Sequence, residues 1–440
     1  MTTTRTLSLP DQLKRTDGDR KRRYAQNLAF YQGTQWGPPR EKMRRRLTIN
    51  YTRAMIDKLT SYLMGRLQFA VPLGSTDEDR ARASEKALLD VYEDNALAQL
   101  DFDTEIDCAV LGDAAYRVVW DTEEERVVVT APDVGGIYAW PLAGDVNRLA
   151  RVAHQYTVEN DGEKQTVTEE WTPSTYTRWT GSSVSTHGPN PYGFIPYVIY
   201  PNIRRPKDIW GESDVEQLRS TQQELNRAIT QLSLILELSG NPIAAFAGVG
   251  DRYKDMPIEP GTTWTIPGDA RAYFVDLLAG NGVKLHIDYL DKVYRALHDL
   301  AEMPRTAFGD NAGRVTSGTA LQIELDPLIK KVERKRLIRS TAYRRRNELI
   351  LRLLSQFTGV DYAPYRADVV WSSVLPSDRR TLVEDERDLV AAGLHSRRRA
   401  ANELGVEDPD AEFARWLQEE GQIRSFGIGE PASNGVPGHS

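Results

Sequence analysis

The sequence predicts an α+β protein that is mainly α-helical, and three observations carry that expectation. Between residues 213 and 357 apolar side chains recur at helical spacing in three long stretches. Between residues 115 and 200 they alternate instead, as in strands. Pro- and Gly-rich segments separate these blocks and turn the chain. At 440 residues the chain has room for two or three domains.

Taken in order, a basic helix spans about 19–31 and ends at Gly33, after which Trp36-Gly37-Pro38-Pro39 breaks the pattern. Asn50 precedes a second helix, with Met55, Ile56, Leu59, Tyr62 and Leu63 on one face, that stops near Gly65. A third helix follows the charged run 76–80, and a fourth ends near Gly112. Strands are expected at 115–120, 126–130, 136–140, 152–158, 165–171, 176–180 and 195–200.

Ser213-Asp214-Val215-Glu216 reads as a capping box, in which hydroxyl and carboxylate satisfy orphan amides at a helix start. That helix keeps Val215, Leu218, Leu225, Ile229, Leu232 and Leu236 on one face until Gly240-Asn241-Pro242 halts it. A hairpin-like insert, 242–282, is rich in Pro, Gly and aromatic residues, with strand character at 262–266. The next helix, 283–303, is two-faced at about 100° per residue. Leu290, Val293, Tyr294, Leu297, Leu300 and Ala301 share one side; Asp288, Asp291, Lys292, Arg295, Asp299 and Glu302 share the other. A glycine-studded loop, 304–316, reads equally as a plain connector or a moving functional loop. Ser317 then starts a helix reaching Phe357, with a kink expected near 323–326 because Pro327 removes one backbone hydrogen bond. A short strand at 368–371 leads to three helices, opened by Ser377, Ser396 and Asp408-Pro409; Gly393 and Gly405 close the first two. The segment 425–440 has little to bury and reads as a disordered tail.

Composition narrows the function. The net charge of −7 argues against tight, non-specific nucleic-acid binding by the chain as a whole. No run approaches the ~20 apolar residues of a membrane span, and the N-terminus lacks the apolar stretch of a signal peptide. A single cysteine, Cys108, points to a reducing compartment. The segment 309–313 lacks the Lys-Ser/Thr of a phosphate loop. His154, His187, His286, His298, His395 and His439 show no zinc-binding spacing, and His286 and His298 read as surface residues. The acidic runs 121–125 and 384–388 read as a solvated turn and a solvated helix face. No catalytic, cofactor-binding or metal residues are predicted. Lys330, Lys331, Arg334, Lys335, Arg336, Arg339, Arg344, Arg345, Arg346 and Arg352 crowd one helix against Glu333 and Glu348. A solvated face is favoured there over a DNA-binding helix; a neighbouring acidic subunit is an equally good sink.

Several motifs in fixed order resemble the portal proteins of tailed bacteriophages. They are Phe30-Tyr31-Gln32-Gly33-Thr34-Gln35, Thr48-Ile49-Asn50-Tyr51-Thr52-Arg53-Ala54-Met55-Ile56-Asp57 with Tyr62-Leu63-Met64-Gly65, and Leu111-Gly112-Asp113-Ala114-Ala115-Tyr116. Gly193-Phe194-Ile195-Pro196, Tyr200-Pro201-Asn202, Gly211-Glu212-Ser213-Asp214 and Ser317-Gly318-Thr319-Ala320-Leu321 follow. Leu375-Pro376-Ser377-Asp378 and Ala392-Gly393-Leu394-His395-Ser396 match the C-terminal pattern, so the resemblance spans roughly 24–420.

The resemblance implies a portal-type α+β fold, with a β-containing wing, long stem helices, a small clip and a helical crown. Residues 1–205 would be the wing, 206–239 and 283–303 the stem, 240–282 the clip and 304–316 the tunnel loop. Residues 317–374 would return to the wing and 375–424 form the crown. It also implies a homo-oligomeric ring, usually of twelve, at a capsid vertex of the virion, assembled in the host bacterial cytoplasm. Double-stranded DNA would pass through it, and the terminase motor, head–tail adaptor, major capsid protein and scaffolding protein would be partners, with no membrane involved. The channel-facing candidates are Arg305, Asn311, Gly313 and Arg314, with Asp288, Lys292, Arg295, Asp299 and Glu302 on the stem. The competing reading is a DNA-processing enzyme, a nuclease or motor ATPase, and the missing phosphate loop and acidic metal cluster count against it.

Overall fold

A computed structural model describes residues 8–36, 47–65, 67–71, 77–160, 162–240, 243–247, 268–269, 271–275, 282–310, 318–374, 379–406 and 409–425. The chain divides into two units, Met1–Ser372 and Ser373–Ser440. The first mixes helices and antiparallel sheets, as the alternating and helical blocks of the sequence require.

Helices α1 (Leu9–Leu13), α2 (Gly18–Gln32) and α3 (Tyr51–Leu63) open the first unit, followed by strand β1 (Leu67–Ala70). Asn50 caps α3 by accepting the Arg53 amide at 3.0 Å. Next come α4 (Glu78–Asp94) and α5 (Leu97–Leu111), then β2 (Asp113–Asp121) and β3 (Arg126–Thr130). A meander of β4 (Ile137–Leu142), β5 (Asp145–Asn160), β6 (Glu163–Trp171), β7 (Thr175–Thr180) and β8 (Ser183–Pro189) forms a five-stranded antiparallel sheet. Strand β9 (Tyr197–Pro201) returns to pair with β2, giving the order β3-β2-β9. The short β10 (Ile203–Arg204) and β11 (Gly211–Glu212) lead to α6 (Arg219–Gly240). Strands β12 (Ile243–Ala247) and β13 (Arg271–Val275) pair antiparallel, and α7 (Gly282–Leu300) runs back beside α6. The 41-residue α8 (Gly318–Thr358) and β14 (Asp368–Trp371) complete the unit; β14 pairs with β1.

The core forms where α8 crosses the β3-β2-β9 sheet and α4 and α5. Tyr116, Val118, Val127, Val198, Tyr343, Leu349 and Ile350 meet there, all buried. Burying each such side chain contributes about 1.5–3 kcal/mol, so this junction outweighs any single polar contact around it. Among the described residues no helix is long and apolar enough to cross a membrane.

The structure departs from the sequence reading at several points. Strands β1 and β8 were not foreseen, because β1 is four residues long and Ser183–Pro189 is an exposed edge with no apolar alternation. The capping box does not open α6: that helix starts at Arg219, and the Ser213 hydroxyl accepts the Val215 amide at 3.0 Å while donating to the Ala109 and Val110 carbonyls, at 3.0 and 2.6 Å. Those carbonyls end α5, so Ser213 closes the preceding helix. Helix α7 stops at Leu300, which is exposed, and Glu302 adopts a left-handed φ of 53°. His298 is buried, its Nδ1 2.8 Å from the Met303 carbonyl, because the chain folds back over it and places Phe308 against its ring. The expected strand at 262–266 and the cap at Ser377 lie outside the described residues.

The long basic helix differs most. Lys331, Lys335, Arg336, Arg339 and Arg346 are buried inside their own subunit, neither solvated nor free for DNA. Helix α8 packs on α3, α4 and the sheet at once, and carboxylates from α5 and from the segment before α6 supply the counter-charge.

The second unit contains α9 (Arg379–Ala391), α10 (Arg397–Glu403) and α11 (Pro409–Ser425). Gly393 and Gly405 have left-handed φ at the ends of the first two, and Ser396 caps α10 through the Arg399 amide at 3.1 Å. Glu386 is buried, 2.8 Å from His395 Nδ1, so the acidic run on α9 is only partly a solvated face. Ser425 ends α11, and residues 426–440 lie outside the described residues.

One buried titratable group makes the first unit sensitive to acid. His154 in β5 lies 3.1 Å from the Tyr197 hydroxyl, and burial pulls its pKa from 6.5 to about 4, against the pull of Glu169. The unfolded chain therefore takes up a proton first as pH falls. Stability is full above 6.5 and is lost towards pH 4, by up to about 3 kcal/mol. His154→Phe is expected to flatten this part of the profile, read as unfolding midpoints at pH 7 and pH 4.5.

Candidate functional site

The α6–α7 pair is the arm on which most of the predicted site residues stand. The two helices run antiparallel and are joined by a few polar contacts. His286 Nε2 lies 2.8 Å from the Ala228 carbonyl, Tyr289 donates to Glu224 at 2.6 Å, and Gln217 donates to the Leu300 carbonyl at 2.9 Å. Leu297 is buried against this junction, whereas Leu285 and Ile287, further along α7, are more than half exposed.

Asp288, Lys292, Arg295 and Asp299 are exposed on α7. Arg295 pairs with Asp291 one turn away at 2.7 Å, an exposed i,i+4 pair that contributes about 0.3–0.5 kcal/mol. Charges of both signs thus share one helical face. Glu302 leaves this face at the turn and binds Arg334 of α8 through both carboxylate oxygens, at 2.6 and 2.7 Å. Arg305, in the 3-10 turn Arg305–Phe308, is also engaged: it pairs with Asp310 at 2.7 Å and Asp291 at 3.5 Å, over the Tyr294 ring. Asn311, Gly313 and Arg314 lie outside the described residues. Of the predicted set, the structure therefore gathers Asp288, Lys292, Arg295 and Asp299 on one face and ties Glu302 and Arg305 into internal ion pairs.

Beneath the arm lies a buried charge cluster that the sequence reading missed. The chain crosses itself closely here: a Cβ on Gly112 would come within 2.9 Å of the Ser213 amide, and one on Gly211 within 2.5 Å of the Gly112 carbonyl. Only glycine permits this approach. It brings Asp214, just before α6, against α8. Lys335 Nζ lies 2.5 Å from Asp214 and 2.6 Å from the Asn202 amide oxygen. Lys331 Nζ lies 2.8 Å from the other Asp214 oxygen, an ion contact off-line for a hydrogen bond, and donates to the Ala301 carbonyl at 2.9 Å. Arg339 binds Glu105 bidentately, at 2.8 and 2.7 Å, and donates to the Asn202 carbonyl at 2.7 Å. Burial alone would raise the Asp214 pKa, but the two lysines more than offset it and hold the carboxyl well below its ordinary range. Burial lowers the Lys335 pKa, with Asp214 and Glu105 opposing. One cluster thus fastens the end of α7, the approach to α6, and α5 to α8.

A sequence signal for it existed. Lys331, Lys335, Arg339 and Arg346 are spaced by four, four and seven, which places them on one helical face with Leu328, Ala342, Leu349 and Leu353. Asp101 and Glu105, four apart on α5, match them. Cations within an apolar stripe require buried partners. Among the described residues no group of three or more His, Cys, Asp or Glu side chains is placed to hold a metal ion.

Comparison with known proteins places this architecture. The chain is 25% identical over 250 residues to the portal protein of Mycobacterium phage D29, covering 53% of this chain and 50% of that protein. It is 23% identical over 323 residues to the portal protein of Mycobacterium phage L5, covering 68% of this chain and 64% of that one. The chain thus spans between half and two thirds of these relatives. Residues 11–425 match the family of phage portal proteins described as SPP1 Gp6-like. With nearly its whole length inside that match, the chain belongs to the SPP1 Gp6-like phage portal protein family.

Proposed function

We propose that copies of this chain close into a ring, usually of twelve, at one vertex of a phage capsid, and that double-stranded DNA passes through its centre during packaging and ejection. The family match over residues 11–425 carries this reading. The α6–α7 arm supports it physically: a bare helix pair with exposed apolar flanks is better buried against copies of itself than left in water.

In this reading residues 1–205 and 317–374 are the wing, 206–239 and 283–303 the stem, 240–282 the clip, 304–316 the tunnel loop and 375–424 the crown. Asp288, Lys292, Arg295 and Asp299 face the channel with Arg305, Asn311, Gly313 and Arg314, and Glu302 joins them only by leaving Arg334. A mixed-sign wall attracts a phosphate backbone weakly and without regard to sequence, which suits a strand that must slide. Arg305 reaches a phosphate only by leaving Asp291 and Asp310, so its contact with DNA is transient. The protein performs no catalysis and needs no cofactor; the terminase motor, head–tail adaptor, capsid and scaffolding proteins dock on it, in the host cytoplasm and then in the virion.

Native mass spectrometry and negative-stain imaging of the purified chain test the ring. Closed rings are expected; monomer alone across a wide concentration range would overturn the reading. Arg314→Glu is expected to leave rings intact and impair DNA retention. ATPase or nuclease activity of the purified chain would favour a DNA-processing enzyme instead.

A further inference from the structure

A ring of identical subunits needs two different faces per subunit that fit each other head to tail. One face is a recess. A cleft of about 710 Å³ opens between α8, strand β9 and the start of β5. Phe194, Ile199 and Leu337 line its apolar part, and Leu337 is 73% exposed. Arg148, Arg204 and Arg345 also line it, and no acidic residue does. Arg345 pairs with Glu348, whereas Arg148 and Arg204 have no ion partner among the described residues.

The second face is a projection of opposite character. The last two turns of α4 expose Leu89, 54% accessible, beside exposed Asp90, Glu93 and Asp94. None of these three carboxylates has an ion partner among the described residues; the nearest cation along the helix is Lys86, one turn back. Helix α4 meets α8 through Tyr92, whose hydroxyl donates to Asn347 at 2.9 Å. Arg345, in the cleft, precedes Asn347 by two residues, about 200° around the helix. The recess and the acidic projection therefore lie on opposite flanks of α8, the arrangement that a head-to-tail contact requires.

We propose that the C-terminal end of α4 from one subunit, its last two turns, seats in the α8–β9 cleft of the next, Leu89 against Leu337, with its carboxylates facing Arg148 and Arg204. The proposal rests on the ring reading and names the surfaces that close the ring. A second copy is the occupant because this chain itself carries the complementary knob: one leucine with three acids for an apolar cleft with three arginines.

Charge exchange tests it on the full chain. Arg148→Glu/Arg204→Glu and Asp90→Lys/Glu93→Lys alter exposed positions only, and circular dichroism checks that each folds. Each variant alone is expected to lose its rings in native mass spectrometry, because like charges then meet. An equimolar mixture is expected to recover them with even subunit counts and alternating composition, since each mutant face meets its mutant complement. Rings formed by either variant alone at the wild-type protein concentration would overturn the proposal and leave the cleft open to an acidic segment of another protein. So would loss in both with no recovery on mixing. If a charge variant does not fold, Leu89→Ser and Leu337→Ser read the same contact by loss of rings, and rings that persist in both overturn it. Wild-type rings alongside intact variant rings sink this inference alone; absence of wild-type rings sinks the ring reading itself.

Discussion

Replacing Arg346 with methionine is expected to destabilise the first unit by about 3–5 kcal/mol, the cost of removing one partner from a buried ion pair. Arg346 and Asp101 are both fully buried. The guanidinium donates to both Asp101 oxygens, one at 2.9 Å, and to the Tyr92 hydroxyl at 2.5 Å. Its carbon lies 4.4 Å from the Tyr116 ring centre and 4.7 Å from that of Tyr343; Nε alone lacks a partner. Burial pulls the arginine pKa down, but Asp101 and Tyr92 more than offset this and hold it well above its ordinary value. Without the arginine, Asp101 keeps, among the described residues, the Tyr116 hydroxyl at 2.8 Å, and must stay charged unsolvated or take a proton. The double change Asp101→Leu/Arg346→Met is therefore expected to lose less than Arg346→Met alone. Urea midpoints followed by tryptophan fluorescence check both; an equal or larger loss in the double variant would show that the pair, rather than the stranded carboxylate, carries the energy.

Asp214→Ala is expected to cost a similar amount, about 3–5 kcal/mol, by a different imbalance. Three cations, Lys331, Lys335 and Arg339, share two carboxylates, Asp214 and Glu105, with Asn202 supplying neutral oxygens. Removing Asp214 leaves Glu105 with Arg339 and, at 3.8 Å, Lys335, and takes from Lys331 the carboxylate it faces. Adding Lys335→Met in that background is expected to restore part of the loss, which a double-mutant cycle measures. The sign with pH follows from the depressed Asp214 pKa. The carboxylate's contribution is present above the ordinary value of 3.8 and disappears as pH falls below it through the folded value. Asp214→Ala should therefore narrow the gap to wild type under acid, and a gap that widens below pH 4 would contradict this account.

How far the sequence could be read depended on whether a feature was periodic or relational. Alternation at 126–130 marks a strand because Val127 and Val129 are buried on one face, and 165–171 because Val167, Glu169 and Trp171 are; both strands are found there. Helical spacing likewise marked the helix that became α3. What sequence alone could not rank were choices between partners. Ser213 fits a helix start by spacing, yet the carbonyls of Ala109 and Val110, about a hundred residues earlier, claim its hydroxyl. Ser183–Pro189 forms a strand only because Thr175–Thr180 offers it an edge. His298 stands beyond the apolar stripe of α7 and is buried by the chain that folds back after the helix. Of the site residues, the mixed charges on one face of α7 were readable; the engagement of Arg305 by Asp291 and Asp310 depends on a turn that no periodicity announces.

Helix α8 is uneven along its length, and the unevenness has a mechanical consequence. From Leu328 onward it is clamped by buried apolar contacts and by Lys331, Lys335, Arg339 and Arg346. Before Pro327 it has Leu325 buried, while Ile323 is 70% exposed. The proline removes one rung of the hydrogen-bond ladder where the two parts join. The helix is thus a beam built into a wall, with a compliant section at the point where it emerges. A load on its first turns is expected to bend the rod at Pro327 rather than to move the part clamped from Leu328 onward.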